Sequence, residues 1–204
     1  MESSVELNTK ERIIESAIEL FSEKGFFETS VRELAEKNNL KVSSLYSHFT
    51  SKEEILDHIL DYYQKELTKV RIPDEKLESI INTLSPEAIF SIGFSKIIET
   101  TASGKMNKII KILLMELYRN PKVREFYQQW YFNENRVSVM KIFQKLQEKG
   151  TIKKIDLELL TSMYNALLNY YYHQYFLCIA ENKDPSELED QIKQHLQLFI
   201  GLLK

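Results

Sequence analysis

Apolar residues recur along this chain at helical spacing, and no segment alternates apolar and polar positions as a strand would. Over Thr9–Lys24, Ile13, Ile14, Ala17, Ile18, Leu20 and Phe21 form one stripe, with Glu15, Glu19 and Glu23 on the other side. Gly25 supplies the left-handed position that ends this first helix. Ser30 followed by Glu33 is a capping box, in which hydroxyl and carboxylate each satisfy a free backbone N–H. It opens a short helix with Val31, Leu34 and Ala35 on one face, and a second short helix carries Leu45, Tyr46 and Phe49. Ser51 and Glu54 form another capping box, starting a longer helix with Ile55, Leu56, Ile59, Leu60 and Tyr63 at helical spacing.

The pattern breaks at Ile72 and Pro73, which predicts two domains, 1–70 and 71–204. Beyond the break, helices are expected over 75–84, from Ser85 and Pro86 to about 102, and over 105–118. One long helix is expected from Asn120 and Pro121 to Gly150. The most aromatic helix follows over 157–181, and a last one runs from the cap Asp184, Pro185 and Glu187 to about 203. The expected fold class is all-α: a three-helix head followed by a larger helical body.

Composition agrees with this picture. Apolar residues make up 43% and charged residues 28%, a globular balance, and the scarcity of Gly (5) and Pro (4) favours long helices. The single Cys178 excludes an intramolecular disulfide. The opening residues Met1 to Glu6 lack a basic start and an apolar run, and no 18-residue apolar stretch occurs. The expectation is a soluble cytoplasmic protein with no membrane association.

Charge changes the picture only locally. The net charge is −3, and residues 1–52 hold seven Lys/Arg against nine Asp/Glu. Within 29–52, however, Arg32, Lys37, Lys41 and Lys52 face only Glu33 and Glu36, a small positive footprint. Geometry says more. Two short helices that cross steeply need a small residue at the crossing and a turn that accepts positive φ. Ala35 is that small residue, and Asn39, four positions on, is the non-glycine type that best tolerates the turn. Lys41, Ser43, Ser44, Ser47 and His48 then fall on the exposed side of the second helix, as groups suited to base edges and phosphates.

Thr29 to Ala35, then Leu45, Tyr46, Ser47, His48 and Phe49, then Ser51 to Leu56 resemble the DNA-binding signature of the TetR family of transcriptional regulators. Ala17, Phe21, Gly25 and Phe26 are similar to that family's first helix and turn, so the resemblance covers about 10–60. The chain departs from the family pattern at Asn39 and near Ser43, where glycines are usual, and at Lys41, where a capping Ser is frequent. The resemblance implies phosphate contacts from Tyr46, His48, Thr29, Ser30 and Lys52, and base contacts from Lys41, Ser43 and Ser44. It further implies a homodimer on double-stranded DNA, at a palindromic operator, and a body that holds an effector.

The body carries matching patterns. Leu188, Ile192, Leu196, Phe199 and Leu203 form a seam that Leu198, Ile200 and Leu202 widen, and Leu159, Leu160, Met163, Leu167, Leu168, Tyr171 and Tyr175 form a second broad stripe. Pairing of two such helices with their copies makes a four-helix dimer interface. An aromatic, Met-containing cavity for a small hydrophobic or aromatic effector is expected from Phe90, Phe94, Met115, Phe126, Trp130 and Tyr172. Asn165, Asn169 and His173 would be its polar groups, with Glu99 and Glu116 available to face a cation. No cofactor or metal is implied. Four histidines (48, 58, 173 and 195) and one cysteine stand without metal-ligand or triad spacing, and no phosphate-cradling Gly loop or nucleophile elbow occurs, which argues against an enzyme. The expected function is a repressor released from its operator by an effector. The alternative is a DNA-binding or partner-binding helical dimer without one.

Overall fold

The structure, a computed structural model, describes residues 8–102, 104–181 and 183–204. The first seven residues of the expected 1–70 domain therefore lie outside the described residues. Every regular element described is helical: α1 (Thr9–Lys24), α2 (Val31–Lys37), α3 (Val42–Tyr46), α4 (Lys52–Lys69), α5 (Asp74–Thr83) and α6 (Pro86–Thr101). After them come α7 (Gly104–Glu116), α8 (Pro121–Tyr127), α9 (Asn135–Glu148), α10 (Leu157–Ala180) and α11 (Ser186–Leu202). No helix is long and apolar enough to cross a membrane among the described residues.

The helices gather into two compact units. One contains Met1–Lys69 with Thr100–Tyr127, and the other Val70–Glu99 with Gln128–Lys204. In the first, Ile13, Ala17, Ile18 and Phe21 of α1 are buried among Leu34, Ala35, Leu45, Phe49 and the inner face of α4. Each large side chain removed from water there contributes about 1.5–3 kcal/mol. Helix α7 packs on α1 and α4 with Met106, Ile109, Ile110, Ile112 and Leu113 inward. Lysines at its edges reach α1: Lys105 pairs with Glu15 and lies 4.0 Å over the Tyr62 ring, and Lys108 stands 3.7 Å from Glu19. Glu15 and Glu19, which the sequence assigns to an outer face of α1, thus fasten neighbouring helices.

In the second unit, Phe90, Phe143, Tyr164 and Phe199 form an aromatic cluster, with Phe90 4.9 Å from Phe143 and 4.8 Å from Tyr164. Burial pushes the Tyr164 phenol well above its usual pKa. Helix α9 ends as expected at Gly150 (φ 74°), where Thr151 N–H returns to the Leu146 carbonyl.

Three expected features differ. The helix expected from 121 to 150 is interrupted by a π-helical turn, Gln128–Glu134, which separates α8 from α9. A period of 3.6 in the apolar residues carries no sign of this wider turn. The second capping box is displaced: Ser51 Oγ accepts the Glu54 N–H at 3.1 Å, but the Glu54 carboxylate accepts from Thr50 N at 2.6 Å and Thr50 Oγ1 at 2.8 Å. At the last helix, Asp184 accepts from Ser186 N, and Glu187 completes no box.

Helix α10 separates two faces. Leu160, Tyr164, Tyr171 and Tyr175 are buried within the unit, whereas Leu159, Met163, Tyr170 and Leu177 are exposed. With exposed Ala166 and His173 between them, these positions step by four and three residues in turn, the spacing of a coiled-coil seam. On α11, Ile192, Leu196 and Ile200 are buried while Leu198 and Leu202 remain 62% and 67% exposed.

Candidate nucleic-acid interface

Helix α2 begins with the capping box expected of it. Ser30 Oγ accepts the Glu33 N–H at 3.2 Å, and Glu33 accepts the Ser30 N–H at 2.7 Å. Hydrogen bonding to Lys24 first, then to Ser30, lowers the Glu33 carboxyl to about 2. Helix α2 ends in a Schellman turn: Leu40 N–H reaches Ala35 O at 2.9 Å and Asn39 N–H reaches Glu36 O at 3.0 Å, with Asn39 at φ 56°. Asn38 Nδ2 adds a bond to Leu34 O at 2.8 Å. Ala35 is buried at the crossing, so α3 approaches α2 closely.

Helix α3 starts at Val42 after Lys41, whose side chain makes no capping bond. Leu45 and Phe49 anchor it in the core. Outward face Lys41, Val42, Ser43, Tyr46, Ser47 and His48, with Ser44 half-buried. Val42 was not among the candidates because it reads as an apolar, core-type residue. Exposed at the start of α3, it offers a methyl surface of the kind that meets thymine methyls.

The local positive footprint narrows to one residue. Arg32 pairs with Glu36 at 2.8 Å, and Lys37 with Glu19 at 2.8 Å. Lys41 has no carboxylate partner among the described residues. Lys52 is engaged inside the head: its Nζ donates to Phe26 O at 2.6 Å and Thr29 O at 2.7 Å, and lies 4.3 Å over the Phe26 ring. Burial pushes this ammonium below its usual pKa, against the opposing pull of Glu53, Glu116, Glu28 and Glu33. A phosphate contact from Lys52 would have to compete with these two carbonyl oxygens. The Thr29 side chain is likewise engaged, being fully buried and donating to Gly25 O at 2.9 Å. Ser30 is exposed at the head's surface.

The turn that Lys52 holds is also held from α7. Glu116 is fully buried, and its Oε1 accepts the Phe26 N–H at 2.9 Å. One of its two oxygens is thus engaged within the head. Gly25 makes room for it: a Cβ at that position would stand 3.0 Å from Glu116 Oε1, and φ 94° disfavours other residues there. Phe26 is thus gripped through its carbonyl and ring by α4 and through its amide by α7.

The expected pocket residues are distributed over both units. Met115 and Phe126 lie in the unit that contains α1 to α4, Met115 near Gly25 and Phe126 with its ring 6.1 Å from Tyr63. Phe90 belongs to the aromatic core of the other unit, and Phe94 is buried there. Trp130 is buried in the π turn beneath the Arg71 guanidinium, 3.9 Å away. Asn169 accepts the Tyr131 hydroxyl at 3.1 Å, Asn165 is half-buried, and the Tyr172 and Phe176 rings stack edge-on at 4.4 Å. His173 is exposed, with Nδ1 2.9 Å from its own helix's Asn169 carbonyl oxygen, so it does not line an interior cavity.

A short helix held by its apolar side on a steeply crossing partner, with polar side chains and an unpaired lysine outward, defines a helix-turn-helix DNA-binding protein. Residues 13–59 match the family described as bacterial regulatory proteins, tetR family. No curated protein sequence matches the chain significantly. Among solved structures, a transcriptional regulator from Aquifex aeolicus shares 26% identity, with 94% of this chain and 99% of that one covered and a TM-score of 0.69. A TetR family transcriptional regulator from Pseudomonas syringae shares 17% (94% and 95% covered, TM-score 0.71). The regulator PfmR from Thermus thermophilus, also of the TetR family, shares 22% (93% and 97% covered, TM-score 0.66). Over residues 13–59 the chain is similar to the DNA-binding head of that family, which together with the Aquifex structure supports a DNA-binding transcriptional regulator.

Proposed function

We propose that the protein is a homodimeric repressor whose hold on a palindromic operator is weakened when a small apolar molecule binds its body. The observation that carries this reading is the double grip on Phe26. Any displacement of α7 acts directly on the turn before α2, because the Glu116 carboxylate holds that turn's amide. A two-state shift of α7 would then alter how α2 and α3 are presented to DNA.

The exposed seam on α10, flanked by Leu198 and Leu202, supports the dimer. Contiguous apolar surface of this kind marks an association site, and a two-fold pair of heads suits half-sites ~34–36 Å apart. Within the head, Lys41, Val42, Ser43 and Ser44 are assigned to base edges, and Tyr46, His48 and Ser30 to phosphates. An effector lowers DNA affinity only as far as it prefers the unbound arrangement.

The test is an anisotropy titration of DNA from upstream of the protein's own gene, with and without candidate effectors. Salt-sensitive, sequence-specific binding that an effector weakens supports the proposal. Specific binding that no effector alters favours a helical dimer without small-molecule control.

A further inference from the structure

Arg71 carries a buried guanidinium nitrogen with no hydrogen-bond partner among the described residues. Its guanidinium is mostly enclosed, with side-chain exposure of 22%, and lies 3.9 Å over the ring of Trp130. The closest carboxylate oxygen, Glu134 Oε2, is 3.8 Å from Nη1, beyond hydrogen-bond range. Nη2 is buried and has no partner. A guanidinium stays charged and presents five N–H groups, so leaving the buried Nη2 without an acceptor is costly. Burial pulls the Arg71 pKa down, and Glu134 only partly opposes this.

Arg71, Trp130 and Glu134 all belong to the Val70–Glu99 and Gln128–Lys204 unit. Two of them sit in the π turn Gln128–Glu134, and wide turns of this kind are frequent at functional sites. The same turn carries Tyr131, whose hydroxyl reaches Asn169 on α10 at 3.1 Å. The indole covers one face of the guanidinium, and Nη2 at its edge lacks the acceptor that a planar group would supply.

We infer that Arg71 anchors the carboxylate of an apolar small molecule bound in this unit. The inference rests on the reading of the body as an effector domain and names the effector's class. Arg71 brings one positive charge and Glu134 already draws on one end of it, so a monoanion fits better than a phosphate dianion. Nη2 is shut off from water, so an ion as small and well hydrated as acetate would lose its hydration with little in return. An acid with an apolar body loses less hydration on entering and brings the acceptor that Nη2 lacks. Trp130 supports the guanidinium from beneath.

Trp130 is the chain's only tryptophan, which makes its emission a direct reporter of Arg71. The full-length protein is titrated with octanoate, dodecanoate and phenylacetate, and with octanol, dodecanol and phenylethanol as neutral counterparts. At least one acid should shift Trp130 emission saturably and bind about 10- to 100-fold more tightly than its alcohol, the range for a hydrogen-bonded charge. Arg71→Gln should remove the acid's advantage while circular dichroism stays helical, and Arg71→Lys should keep part of it. Alcohols binding as well as acids, an undiminished response in Arg71→Gln, or no response to any acid would each overturn the inference. DNA affinity is read separately on the same samples. Arg71-dependent acid binding with unchanged DNA affinity upholds the anchor and defeats effector release, whereas release by a neutral compound alone upholds release and defeats the anchor.

Discussion

The Glu116 carboxylate accepts the Phe26 amide hydrogen at 2.9 Å across ninety residues of chain, joining the end of α7 to the turn between α1 and α2. Its other oxygen is buried without a hydrogen-bond partner, and the bond to Phe26 needs only an acceptor, which a neutral amide also supplies. Glu116→Gln should therefore preserve the bond and leave stability within about 1 kcal/mol of the parent. Glu116→Ala strands a buried amide and should cost about 1–3 kcal/mol in urea unfolding. Gly25→Ala should also destabilise, since it combines positive φ with a 3.0 Å approach to the same oxygen. A Glu116→Ala protein as stable as its parent would remove this link from the account.

Lys41 and Lys52 should part company in DNA binding. Lys41 is exposed without a carboxylate partner, so Lys41→Ala should weaken binding and reduce the salt slope by about one ion. Lys52 is bonded to Phe26 O and Thr29 O. Lys52→Met should lower the head's stability and affinity, with the salt slope unchanged. Slopes from anisotropy titrations between low and moderate salt decide between these roles.

The α2 cap makes the head acid-sensitive. The Glu33 carboxyl sits at about 2 in the folded head, below its ordinary value of 4.5, chiefly through Lys24 and then Ser30. A depressed carboxyl contributes stability above 4.5 and loses it as pH falls from 4.5 through 2. Melting temperatures measured at pH 7, 4.5 and 3 should fall across that window, and fall less in Glu33→Gln. Ser30→Ala removes the other half of the box and should cost about 1 kcal/mol at neutral pH.

Much of the head was legible because its signals are local. A cap and its partner lie three residues apart, as Ser30 and Glu33 do, and a Schellman turn announces itself through Asn39 after Ala35. The grip on Phe26 has no local signature: Glu116 resembles any glutamate on a helix face until α7 is packed against α1. The displaced box at Thr50, the inward turn of Lys52 and the π turn around Trp130 likewise depend on tertiary neighbours. In the body, aromatic residues at helical spacing marked interior positions without separating core, such as Phe90, from surface, such as Tyr170.

The exposed seam gives a prediction about assembly. Met163→Glu with Leu198→Glu places charges on outward positions of α10 and α11 without touching the buried sides. Light scattering should then report a monomer of unchanged helicity, with operator affinity lost. A dimer that survives both changes would place the interface elsewhere.

The most direct test of the central claim is binding to a DNA site selected from a random pool. The account predicts a palindromic site bound by two subunits, in salt-sensitive fashion, with sequence preference altered by changes at Lys41 or Ser44 and overall affinity lowered by Tyr46→Ala. Equal affinity for the selected site and a scrambled one, or indifference to changes on the α3 face, would contradict it.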